Sequence, residues 1–209
     1  MQTSFACFHF ACTTLTLYFA SRHSIGLFTP RRAKFLDILP LSMAMCFNVV
    51  LPNVSLAYSS ITFYQIARIL LTPLVASINF VFYRTTLPRG AVLTLIPVCL
   101  GVGIVSYYDT LPTGDKDLKA TSPIGVVFAL SGVCASSIYT VWIGTYHKKL
   151  NMSSMQLLFN QAPWSSLILC IVAPVVDTVP NFNLIPGSRW SMIFMSGIFA
   201  RYYISNPAL

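Results

Sequence analysis

The chain has no glutamate, and its only acids are five aspartates among 209 residues. Charged residues make up 9% of it, where a soluble domain carries about 25%. A soluble fold of this size needs far more polar surface, because much of its surface faces water. Intrinsic disorder is excluded for the same reason. General acid–base chemistry has almost no carboxylates to draw on. HExxH, GxSxG, Walker and CxxC motifs are all missing, which removes the commonest enzyme and metal signatures. The apolar runs are too long, and alternate too little, for a transmembrane β-barrel. No ion-filter motif stands between them.

What is present is apolar length. AVILMFWYC residues form 56% of the chain. A spanning helix needs about 20 mostly apolar residues to cross roughly 30 Å. Six segments qualify: 3–20, 36–58, 61–83, 90–108, 123–146 and 153–176. The second and third together would make one helix about 72 Å long, so a reversal is expected at Tyr58-Ser59-Ser60. Residues 190–200 are apolar but cover only about 16 Å, a partial seventh helix. The fold class is therefore all-α: a polytopic helical membrane protein with about six spanning helices plus a partial seventh. Its first partner is the lipid bilayer.

The net charge of +8 follows the loops. Arg22, Arg31, Arg32, Lys34, Arg84, Arg89, Lys148 and Lys149 fall in one set of alternate loops. Lys116, Lys119 and Arg189 share the other set with Asp109, Asp115, Asp117 and Asp177. The basic set should be cytosolic and the 109–122 loop lumenal or extracellular. No basic face interleaved with aromatics exists, so nucleic acid is not a partner. The six cysteines lie inside apolar runs and read as small packing residues. No metal site, cofactor or catalytic residue is expected.

Six prolines interrupt the apolar runs: Pro40, Pro52, Pro73, Pro97, Pro163 and Pro174. Each removes a backbone donor and kinks its helix, and bent helices around a cavity are a transporter device. Arg68 sits about eight residues into the third span. A charge at that depth costs at least about 2.5–3.5 kcal/mol on insertion scales. Tyr64, Gln65 and Thr72 share its face at helical spacing. With no acid in the spans to pair with it, its planar fork suits an anionic ligand such as phosphate. Asn48 and Ser55 share a face of the second span, and Ser131, Ser136, Ser137, Tyr139 and Thr140 stud the fifth. Gln156, Asn160 and Gln161 precede Pro163. Such residues also serve as packing glue. Gly101 and Gly103 are expected at a close helix approach, and His9 on an apolar face is expected to be hydrogen-bonded.

Several segments carry a family resemblance. They are Asn53-Val54-Ser55-Leu56, Phe63-Tyr64-Gln65-Ile66-Ala67-Arg68 with Thr72-Pro73, and Leu95-Ile96-Pro97 through Gly101-Val102 to Tyr107-Tyr108-Asp109. Ser154-Met155-Gln156-Leu157-Leu158 and Gln161-Ala162-Pro163 follow. In order and spacing the chain resembles the nucleotide-sugar/triose-phosphate translocator family of the drug/metabolite transporter superfamily. It is most similar to E-type members of solute carrier family 35 and to plant UDP-xylose-type carriers. The resemblance implies a ten-helix fold of two inverted repeats, with this chain supplying helices two to seven and the start of the eighth. Residues 1–200 would be a partial transporter domain, truncated at both ends, and 201–209 an unmatched tail. It implies an antiporter of nucleotide sugars or sugar phosphates in the Golgi or endoplasmic reticulum membrane. Substrate-binding candidates are Arg68, where the family usually has lysine, with Tyr64, Gln65, Asn48, Tyr139, Gln161 and His9. Homo- or hetero-dimers are compatible with it. A second reading, of another class, is a truncated non-transporting membrane protein, such as a pseudogene or splice product that partners a full-length carrier.

Overall fold

The computed structural model describes residues 2–21, 29–86, 88–110, 122–177 and Met195. Its elements are seven helices: α1 (Gln2–Ala20), α2 (Phe35–Tyr58), α3 (Ile61–Ile69), α4 (Leu71–Tyr83), α5 (Arg89–Thr110), α6 (Pro123–Leu150) and α7 (Ser154–Val176). No strand occurs among the described residues. The chain is an all-α, polytopic membrane protein. Among the described residues, five helical stretches are long and apolar enough to cross a bilayer: α2, the α3–α4 pair, α5, α6 and α7. The expected first span also forms a helix, α1. It is not among those five, because Thr3, Ser4, His9 and its later threonines dilute its apolar character. The expected partial helix at 190–200 lies outside the described residues apart from Met195.

The expected third span is broken. Pro73 has no N–H to offer the Ile69 carbonyl, and its ring crowds that carbonyl. The chain answers with a tight turn: the Leu70 N–H bonds to the Ala67 carbonyl at 3.1 Å, three residues back. The α helix resumes when the Leu74 N–H reaches the Leu70 carbonyl at 3.1 Å. Arg68 therefore stands at the end of α3, two residues before the break at Leu70.

Helix ends carry their caps in the sequence. Ser153 and Gln156 form a reciprocal capping box at the start of α7. Ser122 stands before Pro123, a proline at the first helical position, and its hydroxyl accepts from the Gly125 N–H at 3.1 Å. The expected reversal at 58–60 is present. The terminal Tyr58 carbonyl of α2 accepts from the Ser122 N–H and hydroxyl at 3.2 and 3.0 Å. Ser60 caps α3 by accepting from the Phe63 N–H at 2.9 Å. Asn151 ends α6 in the left-handed region, φ 47°, where asparagine is tolerated. His147, Lys148 and Lys149 in the last turn of α6 complement its negative end.

The chain divides into two compact units, residues 1–46 with 146–209, and residues 47–145. In the first, α1 packs along α7. The two are tied at one end by the Ser4 N–H and hydroxyl, which donate to the Asp177 carboxylate at 2.8 and 2.9 Å. In the second, Phe63 and Ala67 of α3 pack against Ala129 and Val126 of α6. Here the close approach falls at Gly125 and Gly132. A Cβ at Gly125 would lie 2.5 Å from the Tyr58 carbonyl oxygen, and one at Gly132 3.1 Å from the Pro52 nitrogen. Gly101 and Gly103, expected in that role, meet nothing within 4 Å.

Candidate functional site

Arg68 shares a crevice in the 47–145 unit with Pro52, Tyr64, Ala67, Leu71, Ala129, Gly132, Val133 and Ser136. Its volume is about 10 Å³, room for about one water. The crevice exists because Gly132 lets the Pro52 ring come close and because Ala67 and Ala129 are small. One turn of α3 brings Tyr64 under Arg68: Arg68 Nη1 donates to the Tyr64 hydroxyl at 3.4 Å, and the guanidinium carbon lies 5.8 Å from the ring centroid. At that distance the ring face attracts the cation. Ser136 lines the crevice and its hydroxyl donates to Asn48 Oδ1. Asn48, Ser136, Tyr64 and Arg68 thus gather at one place from α2, α6 and α3.

Arg68 is exposed rather than enclosed. Gln65 and Thr72 are exposed as well. Among the described residues no carboxylate pairs with Arg68. The fork therefore keeps donors available beyond the single bond to Tyr64. A tyrosine-propped guanidinium with an Asn–Ser pair beside it can hold an anion and offer further polar contacts.

The remaining sequence candidates fall elsewhere. Gln65 and half-buried Tyr139 do not line the crevice. Gln161 and His9 belong to the other compact unit. Gln161 is fully buried there. His9 stacks on Phe5 at 6.1 Å. Its Nδ1 is buried with no hydrogen-bond partner among the described residues, contrary to the expected satisfied histidine. No group of metal-ligating side chains occurs among the described residues.

In the first unit a different set of residues does unexpected work. Asn160 Nδ2 donates to the Arg31 carbonyl at 2.7 Å, and Asn160 Oδ1 accepts from the Ala33 N–H at 3.0 Å. Gln156 Nε2 donates to the Thr29 carbonyl at 2.8 Å. Arg31 Nη1 donates to the Asn151 carbonyl at 3.2 Å. These bonds strap the extended segment before α2 onto the start of α7. The polar run before Pro163 was visible in the sequence, but partners more than a hundred residues away were not.

No protein-family model matches the chain. It is similar to UDP-rhamnose/UDP-galactose transporter 2 of Arabidopsis thaliana, 27% identical over 175 residues, 84% of this chain and 47% of that protein. It is 25% identical to UDP-xylose transporter 1 of the same plant over 175 residues, 84% of this chain and 48% of the relative. Nucleotide-sugar uncharacterized transporter 1, also from Arabidopsis thaliana, is 25% identical over 170 residues, covering 80% and 40%. The chain spans about half the length of the curated relatives it matches.

Proposed function

We propose that this chain takes part in the transport of a nucleotide sugar or sugar phosphate across an endomembrane, by exchange, with the Golgi or endoplasmic reticulum as its site. The observation that carries the reading is Arg68: a cation within a membrane span, propped by Tyr64 and without a carboxylate partner among the described residues. In hydrocarbon such a charge is costly and marks a substrate path by default. Its planar fork matches two phosphate oxygens. The named relatives support the class of cargo.

The crevice is far smaller than a nucleotide sugar. Phosphate therefore approaches Arg68 from its exposed side, with Ser136, bonded to Asn48 behind it, on the crevice wall. Tyr64 supplies a hydroxyl that orients the fork. Gln65, on the same exposed flank, is within one helical turn of it. Tyr139, Gln161 and His9 lie away from the crevice, Gln161 fully buried, and each is to be tested singly.

The test is uptake of radiolabelled UDP-sugars into proteoliposomes preloaded with UMP, using the chain with whatever partner it purifies with. Arg68→Ala should abolish exchange, while Arg68→Lys retains part of it because the charge survives. Undiminished exchange by Arg68→Ala would sink the reading. The rival reading, a non-transporting membrane protein, requires no exchange by the wild type and no rise in melting temperature with any nucleotide sugar. A ligand that binds only the folded state must raise it.

A further inference from the structure

The unit formed by residues 1–46 and 146–209 holds a second, larger cleft that the transport reading does not use. Its volume is about 380 Å³, within the range of small-ligand pockets. Thr14 and Tyr18 of α1 form one wall, Arg32 and Phe35 the rim, and Asn160 and Trp164 of α7 the other wall. Tyr18, Phe35 and Trp164 are exposed, and Phe35 meets Trp164 at 4.4 Å between centroids. Trp164 lies ten residues past the start of α7, about 15 Å along the helix. Tyr18 is in the last turn of α1 and Phe35 opens α2. The cleft therefore starts at a helix-end level and runs into the outer half of the bilayer core. Tyr18 and Phe35, at helix ends, stand where interfacial aromatics sit, while Trp164 lies deeper, at the level of acyl chains.

Among the described residues, Arg32 is the only charged group on the cleft lining and no carboxylate pairs with it. The backbone on either side of it is clasped by Asn160, through the Arg31 carbonyl and the Ala33 N–H. The same unit contributes Arg31, Lys34, Lys148 and Lys149, with Arg31 bonded to the Asn151 carbonyl just past the end of α6. An exposed guanidinium at the rim of an aromatic-walled cleft, in a unit with four further basic side chains, matches an amphiphile with a phosphate head.

We propose that this cleft is a binding site for an anionic phospholipid of the leaflet facing the basic loops. Arg32 takes the phosphate. Tyr18, Phe35 and Trp164 take the glycerol and upper acyl chain. The clasp made by Asn160 sets the height of the phosphate above the aromatic wall. The proposal needs the chain to span a membrane but does not need it to transport.

Tryptophan fluorescence tests it. The full chain carrying Trp142→Phe and Trp190→Phe keeps Trp164 as its one indole. It is placed in phosphatidylcholine vesicles with a minor fraction of acyl-brominated lipid, either phosphatidylserine or phosphatidylcholine. Brominated phosphatidylserine should quench Trp164 about fivefold more per lipid than brominated phosphatidylcholine, the preference one basic residue confers at an anionic surface. Arg32→Gln should abolish that preference while leaving quenching by brominated phosphatidylcholine intact, which also shows that the variant is inserted. Equal quenching by the two lipids in the parent overturns the proposal. So does a preference that survives Arg32→Gln. Relief of quenching by inorganic phosphate, against chloride at equal ionic strength, also overturns it, because the cleft would then take a soluble phosphate.

Discussion

A single methyl group at position 125 would collide with a backbone carbonyl that cannot move aside, because Tyr58 is already held by two bonds from Ser122. Overpacking of this kind costs about 1–3 kcal/mol. Gly125→Ala should therefore lower the unfolding midpoint in detergent, read by circular dichroism or by fluorescence. Gly101→Ala faces open space on a helix and should be neutral, or stabilising by about 0.5–1 kcal/mol. Equal effects at the two sites would contradict the packing described. The sequence reading chose Gly101 and Gly103 because both glycines are visible in any apolar run. Which face of a helix meets a neighbour is decided by distant partners, so the pair that matters, Gly125 and Gly132, was not legible. Arg68 was legible, because a charge in a long apolar run is rare whatever surrounds it. Its neighbour Tyr64 followed from helical spacing alone. Asn48 could be listed with Arg68 only by resemblance, and the contact that brings it there runs through Ser136.

Among elements, span limits were the most legible part of the fold. Expected segments at 36–58, 90–108 and 153–176 agree with α2, α5 and α7 to within two residues, because apolar length sets them. The interruption between α3 and α4 was less legible. Pro73 was conspicuous, but a proline bends one helix and breaks another according to what supports the freed carbonyl. The α1–α7 pair invites a pH test. Burial raises the Asp177 carboxyl, the hydrogen bonds from the Ser4 N–H and hydroxyl lower it, and the net direction is down. The folded value lies below the ordinary carboxylate range. The contribution to stability is complete above the unfolded carboxylate value and disappears as pH falls through the folded one. Asp177→Asn should lower the melting temperature at neutral pH, and the gap to wild type should close on acidification below the carboxylate range. A gap that stays constant with pH would show that the charge plays no part.

At the scale of the whole molecule, the loop charges imply one orientation, with the basic loops cytosolic. In a cysteine-free background, Lys34→Cys should react with a membrane-impermeant maleimide from the cytosolic side and Lys119→Cys only after the membrane is opened. The reverse pattern would invert the orientation. The membrane class was legible from composition, since nothing else accommodates so little charge. The division into two units was not, because one of them joins the first 46 residues to residues 146–209. That division has a consequence for biosynthesis. The 47–145 unit is one continuous stretch, so all its helices leave the ribosome together. Ser4 must wait for Asp177, 173 residues later, about 10–35 s at ordinary elongation rates. For that interval α1 is without α7, with Thr3, His9 and Thr13 left to whatever companion the insertion machinery offers. The polar content of α1 would then make it the helix most dependent on an insertase, and the step at which a slowed ribosome costs most yield.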